Sequence, residues 1–469
     1  MVLQLSSTRK KMFPSQIMKN SFSLLCFSFL LWLISYSFYY KHELLSDQNE
    51  VSLTEIYHTS TYKSTLSNTS SITSLNSLEE LNKKFCGKPT CKFLFAYLLG
   101  EQETKANTHF RSFSQLAEKL NRIMILTNVG SSRIGTCNKF PFDFYYDTNL
   151  LQKEFPNVIF KSENDFIFWL KERDQIKMTL NNNVNKNIIS PLSILHTSIQ
   201  SHKEDTYYYN AETNFDKNKC ISKFEPLMNL EDPNNSRVSY TKMFVKTTDL
   251  IRRRAKFSKL LTKVFTIDEE ILLVNGRVAY PLFPEITPVI PYNDYILNEA
   301  QRLKDKLSSS YIGIHWRLES SIPELLPECV QGLIKTLNKV MKEEGIENIY
   351  LATDYPLSSR SQSSTFKNLS HYHHDAIKTL NETFKINTWV SLGGLEQLKE
   401  NNQYDKELNG PGIQGILDKL VCINSNYFIS GPKGCSRVSS FTKAIANERR
   451  DRIKNNDHSL LNTINRWEP

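Results

Sequence analysis

Several signatures of common enzyme chemistries are missing from this chain of 469 residues. No Gly-x-x-x-x-Gly-Lys-Ser/Thr loop occurs, which excludes the backbone phosphate cradle of a P-loop hydrolase. No Asp-x-Asp pair occurs, so the usual carboxylate pair for a metal-bound nucleotide is absent. No Gly-x-Ser-x-Gly elbow is present, and no Ser/His/Asp ordering stands out. The cysteine spacings match no zinc pattern. The cluster His371-Tyr-His-His-Asp375 reads as a polar surface loop, because adjacent histidines rarely face one ion. Charge of one sign is scarce too. The net charge of +9 is spread out, and the run Arg252–Arg254 reads as a solvated helix face with no nucleic-acid motif beside it.

What is present suits an ordinary α/β enzyme. Hydrophobic residues are 40% and aromatics 11% of the chain, enough for two globular cores. Ser21–Tyr40 carries no charge and is long enough to span a bilayer. Arg9, Lys10, Lys11 and Lys19 precede it, so the positive-inside bias keeps residues 1–20 cytosolic and sends the rest across as an uncleaved anchor. Residues 41–84 form a Ser/Thr-rich stem too poor in apolar side chains to build a core. N-glycosylation sequons stand at Asn68, Asn234, Asn368 and Asn381. Behind such an anchor the cysteines read as disulfides, with Cys86–Cys91 and Cys422–Cys435 as plausible local pairs and one cysteine left over.

The globular part reads as two halves, residues 85–290 and 291–469. The first opens with a strand over Lys92–Leu99, a polar loop over Gly100–Asn107, a helix over Thr108–Asn121 and a strand over Ile123–Leu126. The proline-rich segment Ala279–Pro291 suits a crossing between the halves. The second half alternates helix (Asp294–Lys306), strand (Tyr311–Ile314), helix (Pro327–Glu344), strand (Ile349–Ala352), helix (Ile413–Leu420), strand (Tyr427–Ile429) and helix (Ser439–Arg449). Such alternation predicts a parallel sheet with helices on both faces. Two Rossmann-like domains would then face each other across a ligand cleft.

Three strand ends in the second half carry polar side chains: His315, Arg317 and Glu319; Thr353 and Asp354; and the segment Gly434–Phe441, which opens a helix. Arg317 is a fixed fork of donors suited to phosphate. Ser439 and Ser440 can cap that helix, and the same amides and hydroxyls can hold a phosphate. Asp354 taken alone reads as a turn former more often than as a ligand, and its convergence with the other strand ends favours the ligand reading. Arginine, helix-start amides and acids at neighbouring strand ends suit a nucleotide diphosphate.

The motifs His315-Trp-Arg317, Ile349–Asp354, Ile416-Leu-Asp418, Tyr427-Phe-Ile, Ser439-Ser-Phe-Thr-Lys443 and Glu448-Arg449, in this order, resemble the GDP-fucose protein O-fucosyltransferase family. The first strand–loop–helix unit, with Leu120–Leu126, is similar as well. The resemblance implies a glycosyltransferase of GT-B type with two Rossmann-like domains, acceptor side first and GDP-sugar side second. It implies inverting, metal-independent transfer of fucose from GDP-fucose to a protein or glycan hydroxyl, and the anchor adds an endoplasmic reticulum or Golgi location with the catalytic part in the lumen. By the same resemblance Arg317 contacts the β-phosphate, His315 lies beside the nucleotide, Asp418 holds the guanine, and Ser439, Ser440 and Phe441 cradle phosphates and base. The first loop departs from the family's Gly- and Asn-rich pattern: Asn107 is the candidate for the asparagine, and Glu101 or Glu103 for a base on the acceptor hydroxyl. An acidic first helical turn is the alternative reading of those glutamates. Another nucleotide sugar, or an inactive glycan- or protein-binding homologue, are the alternative functions. Glu319 has no role in this reading.

Overall fold

The second half of the molecule is built on a five-stranded sheet, β11 (Tyr311–Trp316), β12 (Asn348–Thr353), β13 (Ile386–Asn387), β14 (Tyr427–Ser430) and β15 (Asn465–Arg466), in the order β13-β12-β11-β14-β15. Every pairing in it is parallel. The computed structural model describes residues 77–182, 192–201, 206–210, 220–228, 236–239, 243–246, 258–259, 261–277, 282–283, 290–307, 310–319, 321–357, 366, 368–408, 412–437 and 439–469. The Ser21–Tyr40 anchor, most of the stem, the sequons at Asn68 and Asn234 and the run Arg252–Arg254 lie outside these residues. Among the described residues no helix is long and apolar enough to cross a membrane.

The first half holds a ten-stranded sheet. Its strands are β1 (Phe93–Leu99), β2 (Ile123–Leu126), β3 (Val129–Gly130), β4 (Arg133–Gly135), β5 (Phe160–Ser162), β6 (Leu192–Ser201), β7 (Thr206–Asn210), β8 (Ser236–Ser239), β9 (Met243–Lys246) and β10 (Ile271–Arg277). β1 pairs parallel with β2 and β10, and β10 parallel with β6. The sheet is mixed, since β4 and β7 pair antiparallel to their neighbours. The physical reason is plain at β3–β4: Ser131 and Ser132 both take positive φ (49° and 59°), a two-residue turn that joins only antiparallel strands.

Helices α1 (Leu78–Cys86), α2 (Glu103–Leu120), α3 (Glu163–Asn182), α4 (Asp294–Lys306), α5 (Leu326–Glu344), α6 (His371–Thr383), α7 (Gly412–Asn424) and α8 (Ser440–Lys454) pack around the sheets. Helix α1 corrects the stem boundary. Ser77 caps it by accepting from the Glu80 amide at 3.2 Å, and Leu81 is buried, so residues 78–84 belong to the folded body. Helix α2 begins at Glu103, not at Thr108. In its polar first turns the Thr108 and Ser112 hydroxyls donate to carbonyls one turn back, at 3.2 and 3.3 Å.

Two further expectations are overturned. His371–Asp375 is not a loop but the first turns of α6, where Ser370 and His373 cap each other and His373 is buried. Cys422 does not bond Cys435. Cys435 pairs with Cys329 at the start of α5, and Cys422 is a buried free thiol on α7, facing β11. The remaining bonds are Cys86–Cys91, as expected, and Cys137–Cys220. Helix α7 reaches β11 because Gly313 leaves room: a Cβ there would sit 2.7 Å from the Ser425 hydroxyl.

Ser74–Pro469 is one compact unit. One apolar core runs from Leu94, Phe110 and Phe144 near the first sheet to Tyr311, Leu417 and Phe428 at the second. Arg449 on α8 is fully buried and donates to the carbonyls of Ser425, Asn426 (3.2 Å) and Asn462 (2.7 Å). It locks the turn before β14 to the segment before β15, which makes this part of the Glu448-Arg449 motif structural.

Candidate functional site

From β11 the chain proceeds outward through β12 to β13, then returns to place β14 on the other side of β11. The topological switch point therefore lies between β11 and β14, where an open parallel sheet leaves a crevice beyond its carboxyl ends. The loops leaving these two strands are joined. Trp316 Nε1 donates to the Cys435 carbonyl at 2.9 Å, Arg317 N to Ser436 Oγ at 3.2 Å and Ile322 N to the Gly434 carbonyl at 2.8 Å. Gly434 makes the turn with φ of 95°, in the region that favours glycine. The Cys329–Cys435 bond fastens the same turn to α5.

Arg317 emerges from β11 at this point, its side chain 22% exposed and ion-paired with Glu319. Burial lowers its pKa, the charge of Asp354 works the other way, and the exposed Arg437 lowers it further. Arg437 is thus a second cation near the same crevice. Asp354, at the end of β12, accepts from the amides of Leu318 and Glu319 at 2.7 and 3.1 Å. Burial pushes its carboxyl up to about 6. It shapes the turn after Arg317 and spends both oxygens in doing so. Thr353 Oγ1 helps by donating to the Trp316 carbonyl at 2.8 Å.

His315 ends the buried part of β11. Its Nδ1 hydrogen-bonds to Thr442 Oγ1 at 2.9 Å, and its ring lies 4.7 Å from that of Phe441. Burial, then the charge of Arg317, depress it to about 3, so it stays neutral. The strand stops at Trp316, so Arg317 and Glu319 lie beyond it rather than continuing its alternation. Ser439 caps α8 by accepting from the Thr442 amide at 3.2 Å. Ser440 and Phe441 form the first helical turn, whose amides have no partner within a helix. Together these groups offer an anion one arginine, a neighbouring arginine and a helix N-terminus.

The pattern that defines the GDP-fucose protein O-fucosyltransferase family matches residues 105–452. The chain belongs to this family. It therefore stands among the GDP-fucose-dependent O-fucosyltransferases, a class of glycosyltransferase. No curated protein sequence matches it. Solved structures of POFUT1 are similar to it: the complex with GDP-fucose has a TM-score of 0.41 at 11% identity, covering 82% of this chain and 99% of that one. The complex with GDP has a TM-score of 0.40 at 11% identity, covering 81% and 99%.

The other residues that the resemblance singled out lie just before α2, on α2 and on α7. Asn107 is a buried helical residue, and its amide is committed to the backbone: Oδ1 accepts from Ile290 N at 2.8 Å and Nδ2 donates to Ile290 O at 3.2 Å. It ties α2 to the end of the proline-rich crossing. Glu103 is buried and receives Tyr146 Oη at 3.1 Å, Tyr292 Oη at 2.7 Å and Lys419 Nζ at 2.7 Å. Its oxygens are occupied by these three donors. Glu101 keeps 34% of its side chain exposed and pairs with Lys105 at 3.3 Å.

Asp418 lies on the buried face of α7 and accepts from Tyr350 Oη at 2.6 Å; burial raises it to about 7. Tyr350 is three residues before the end of β12, roughly 10 Å short of the crevice along the strand. Sequence reasoning missed Arg437 and Lys419. Arg437 stood inside the quoted Gly434–Phe441 segment, but nothing there distinguished a turn arginine from a ligand. Lys419 follows Asp418, and no local pattern announces a partner on α2. Among the described residues no group of three or more His, Cys, Asp or Glu is placed to hold a metal ion.

Proposed function

We propose that the protein transfers fucose from GDP-fucose to a hydroxyl of a protein or glycan, with inversion and without a metal ion. The observation that carries this reading is Arg317 at the switch point, beside the α8 N-terminus and Arg437. As the bond from fucose C1 to the β-phosphate oxygen breaks, negative charge grows on the departing GDP. Arg317, Arg437 and the α8 amides supply the fixed positive potential that charge needs. The acceptor oxygen bonds to C1 from the opposite face, and its proton passes to a base. Glu101 is the proposed base, since it is the partly exposed glutamate of the pair at the start of α2. Neutral His315 and Phe441 would line the nucleotide side.

Residues 85–290 would carry the acceptor and 291–469 the donor, in a GT-B arrangement. Asp418 would reach guanine only if the contact with Tyr350 opens. The charge pattern around Ser21–Tyr40 supports a type II membrane protein with its catalytic part in the lumen of the endoplasmic reticulum or Golgi. Asn368 and Asn381 are exposed, as lumenal glycosylation would require. A shift in mass on deglycosylation would check that orientation.

The function is tested by calorimetric titration of GDP and GDP-fucose into the full-length protein, followed by a transfer assay on secreted acceptor domains. Binding by the wild type and a marked weakening in Arg317→Ala are expected. Absence of donor binding, or equal binding by Arg317→Ala, would overturn the reading. Persistence of transfer in a chelator and an inverted anomeric signal in the product test the two finer claims.

A further inference from the structure

Glu319, just after β11, is a charged residue that the proposed reaction leaves unused. Its side chain is 8% exposed. One carboxylate oxygen is ion-paired with Arg317. The other, Oε2, is buried and has no hydrogen-bond partner among the described residues. A buried pair that leaves an oxygen unsatisfied is a poor stabilising element, because desolvation of the carboxylate is only partly offset. The pairing is nevertheless built in. Asp354 accepts from the amides of Leu318 and Glu319 and curls the chain after β11, and this turn returns Glu319 onto Arg317, two residues back. The loop is closed from the far side where Ser321 Oγ donates to the Leu318 carbonyl at 2.7 Å.

We propose that Glu319 is a positioning residue that serves as the resident counter-ion of Arg317, holding the guanidinium at the crevice between turnovers and competing with the diphosphate for it. This rests on the proposed donor site. A carboxylate and a diphosphate cannot both lie against one half-buried guanidinium without repulsion, so donor binding must draw Arg317 away from Glu319. The same competition acts on the product: once fucose has left, Glu319 can reclaim Arg317 and so hastens the departure of GDP. Glu319 thus lowers the affinity of the site for the nucleotide while keeping the arginine in place.

The test is a titration of GDP into the wild type, Glu319→Gln, Arg317→Ala and the double variant, with dissociation rates measured alongside. Glu319→Gln is nearly isosteric and is expected to bind GDP about three- to tenfold tighter, mostly through slower dissociation. Guanosine, which lacks the diphosphate, is expected to gain nothing. The gain is expected to vanish in the Arg317→Ala background, which a merely structural role for Glu319 would not produce. Glu319→Ala removes the same carboxylate and is expected to tighten GDP binding in the same direction, should the glutamine variant fold poorly. Unchanged or weaker GDP binding by these folded variants, beside a wild type that binds GDP, would overturn the proposal alone. A wild type that does not bind GDP would overturn the donor reading with it.

Discussion

Two carboxylates, Glu103 and Glu319, are each buried against a cation, yet they are built differently. Glu103 on α2 is saturated: two tyrosine hydroxyls and Lys419 fill its oxygens, and the ammonium also lies 5.0 Å from the Tyr292 ring centroid. Glu319 has one filled oxygen and one empty one. The saturated cluster joins α2 of the first half to α7 of the second and has no valence left for a ligand. The unsaturated cluster sits at a switch point, among loops that a disulfide and backbone bonds hold in place. Burial and charge alone do not separate a structural ion pair from a working one. What differs between these two among the described residues is the count of satisfied lone pairs.

The largest effect should come from breaking the saturated cluster. Lys419→Met strands the Glu103 charge and is expected to lower unfolding free energy by about 3–5 kcal/mol in chemical denaturation. Arg317→Ala should act mainly on catalysis: transfer falls about 10²–10³-fold in kcat, as for loss of one charge-stabilising donor, while the loss of stability from stranding Glu319 is expected to be smaller than that of Lys419→Met. If both variants lose stability alike, the contrast between the clusters fails. Cys329→Ser frees the turn at Cys435 and is expected to cost about 2–4 kcal/mol, with a higher KM for the donor.

The smallest effect concerns pH. Asp418 and Asp354 titrate at about 7 and about 6 in the folded protein, above the ordinary carboxylate value. The folded state therefore binds more protons than the unfolded chain, and stability falls as pH rises from the unfolded value through these folded ones. Asp418→Asn, which still accepts from Tyr350, is expected to gain roughly 1–3 kcal/mol at about pH 8 and almost nothing at about pH 4. A flat difference across that range would show that burial does not govern Asp418.

The second half was more legible in the sequence than the first. Its strands alternate with long amphipathic helices, and α4 was bounded correctly because Asn293 caps it and its apolar spacing is regular. Arg317, Ser439 and Phe441 stand out in the sequence because they follow buried strands. The first half resisted because α2 opens on polar residues, whose hydroxyl back-bonds leave no trace in hydropathy. Asn107 looked like a loop ligand for the same reason. Glu103 was recognised as special, but its partners Tyr146, Tyr292 and Lys419 are 43, 189 and 316 residues away. The bond between Cys329 and Cys435 spans 106 residues, so local spacing favoured the wrong pair.

The order of strands in the second sheet also bears on how the protein is made. β12 follows β11 after a single helix, whereas β14 arrives only after α6, β13 and α7. A chain emerging from the ribosome therefore presents β11 for a time as an apolar edge, with one side paired and the other open. Throughout that interval Cys329 lacks its partner and Arg317 lacks the loop that will fix it. The stretch that carries the chemistry is also the one that depends longest on protection from premature pairing, so chaperone binding during synthesis should concentrate on β11.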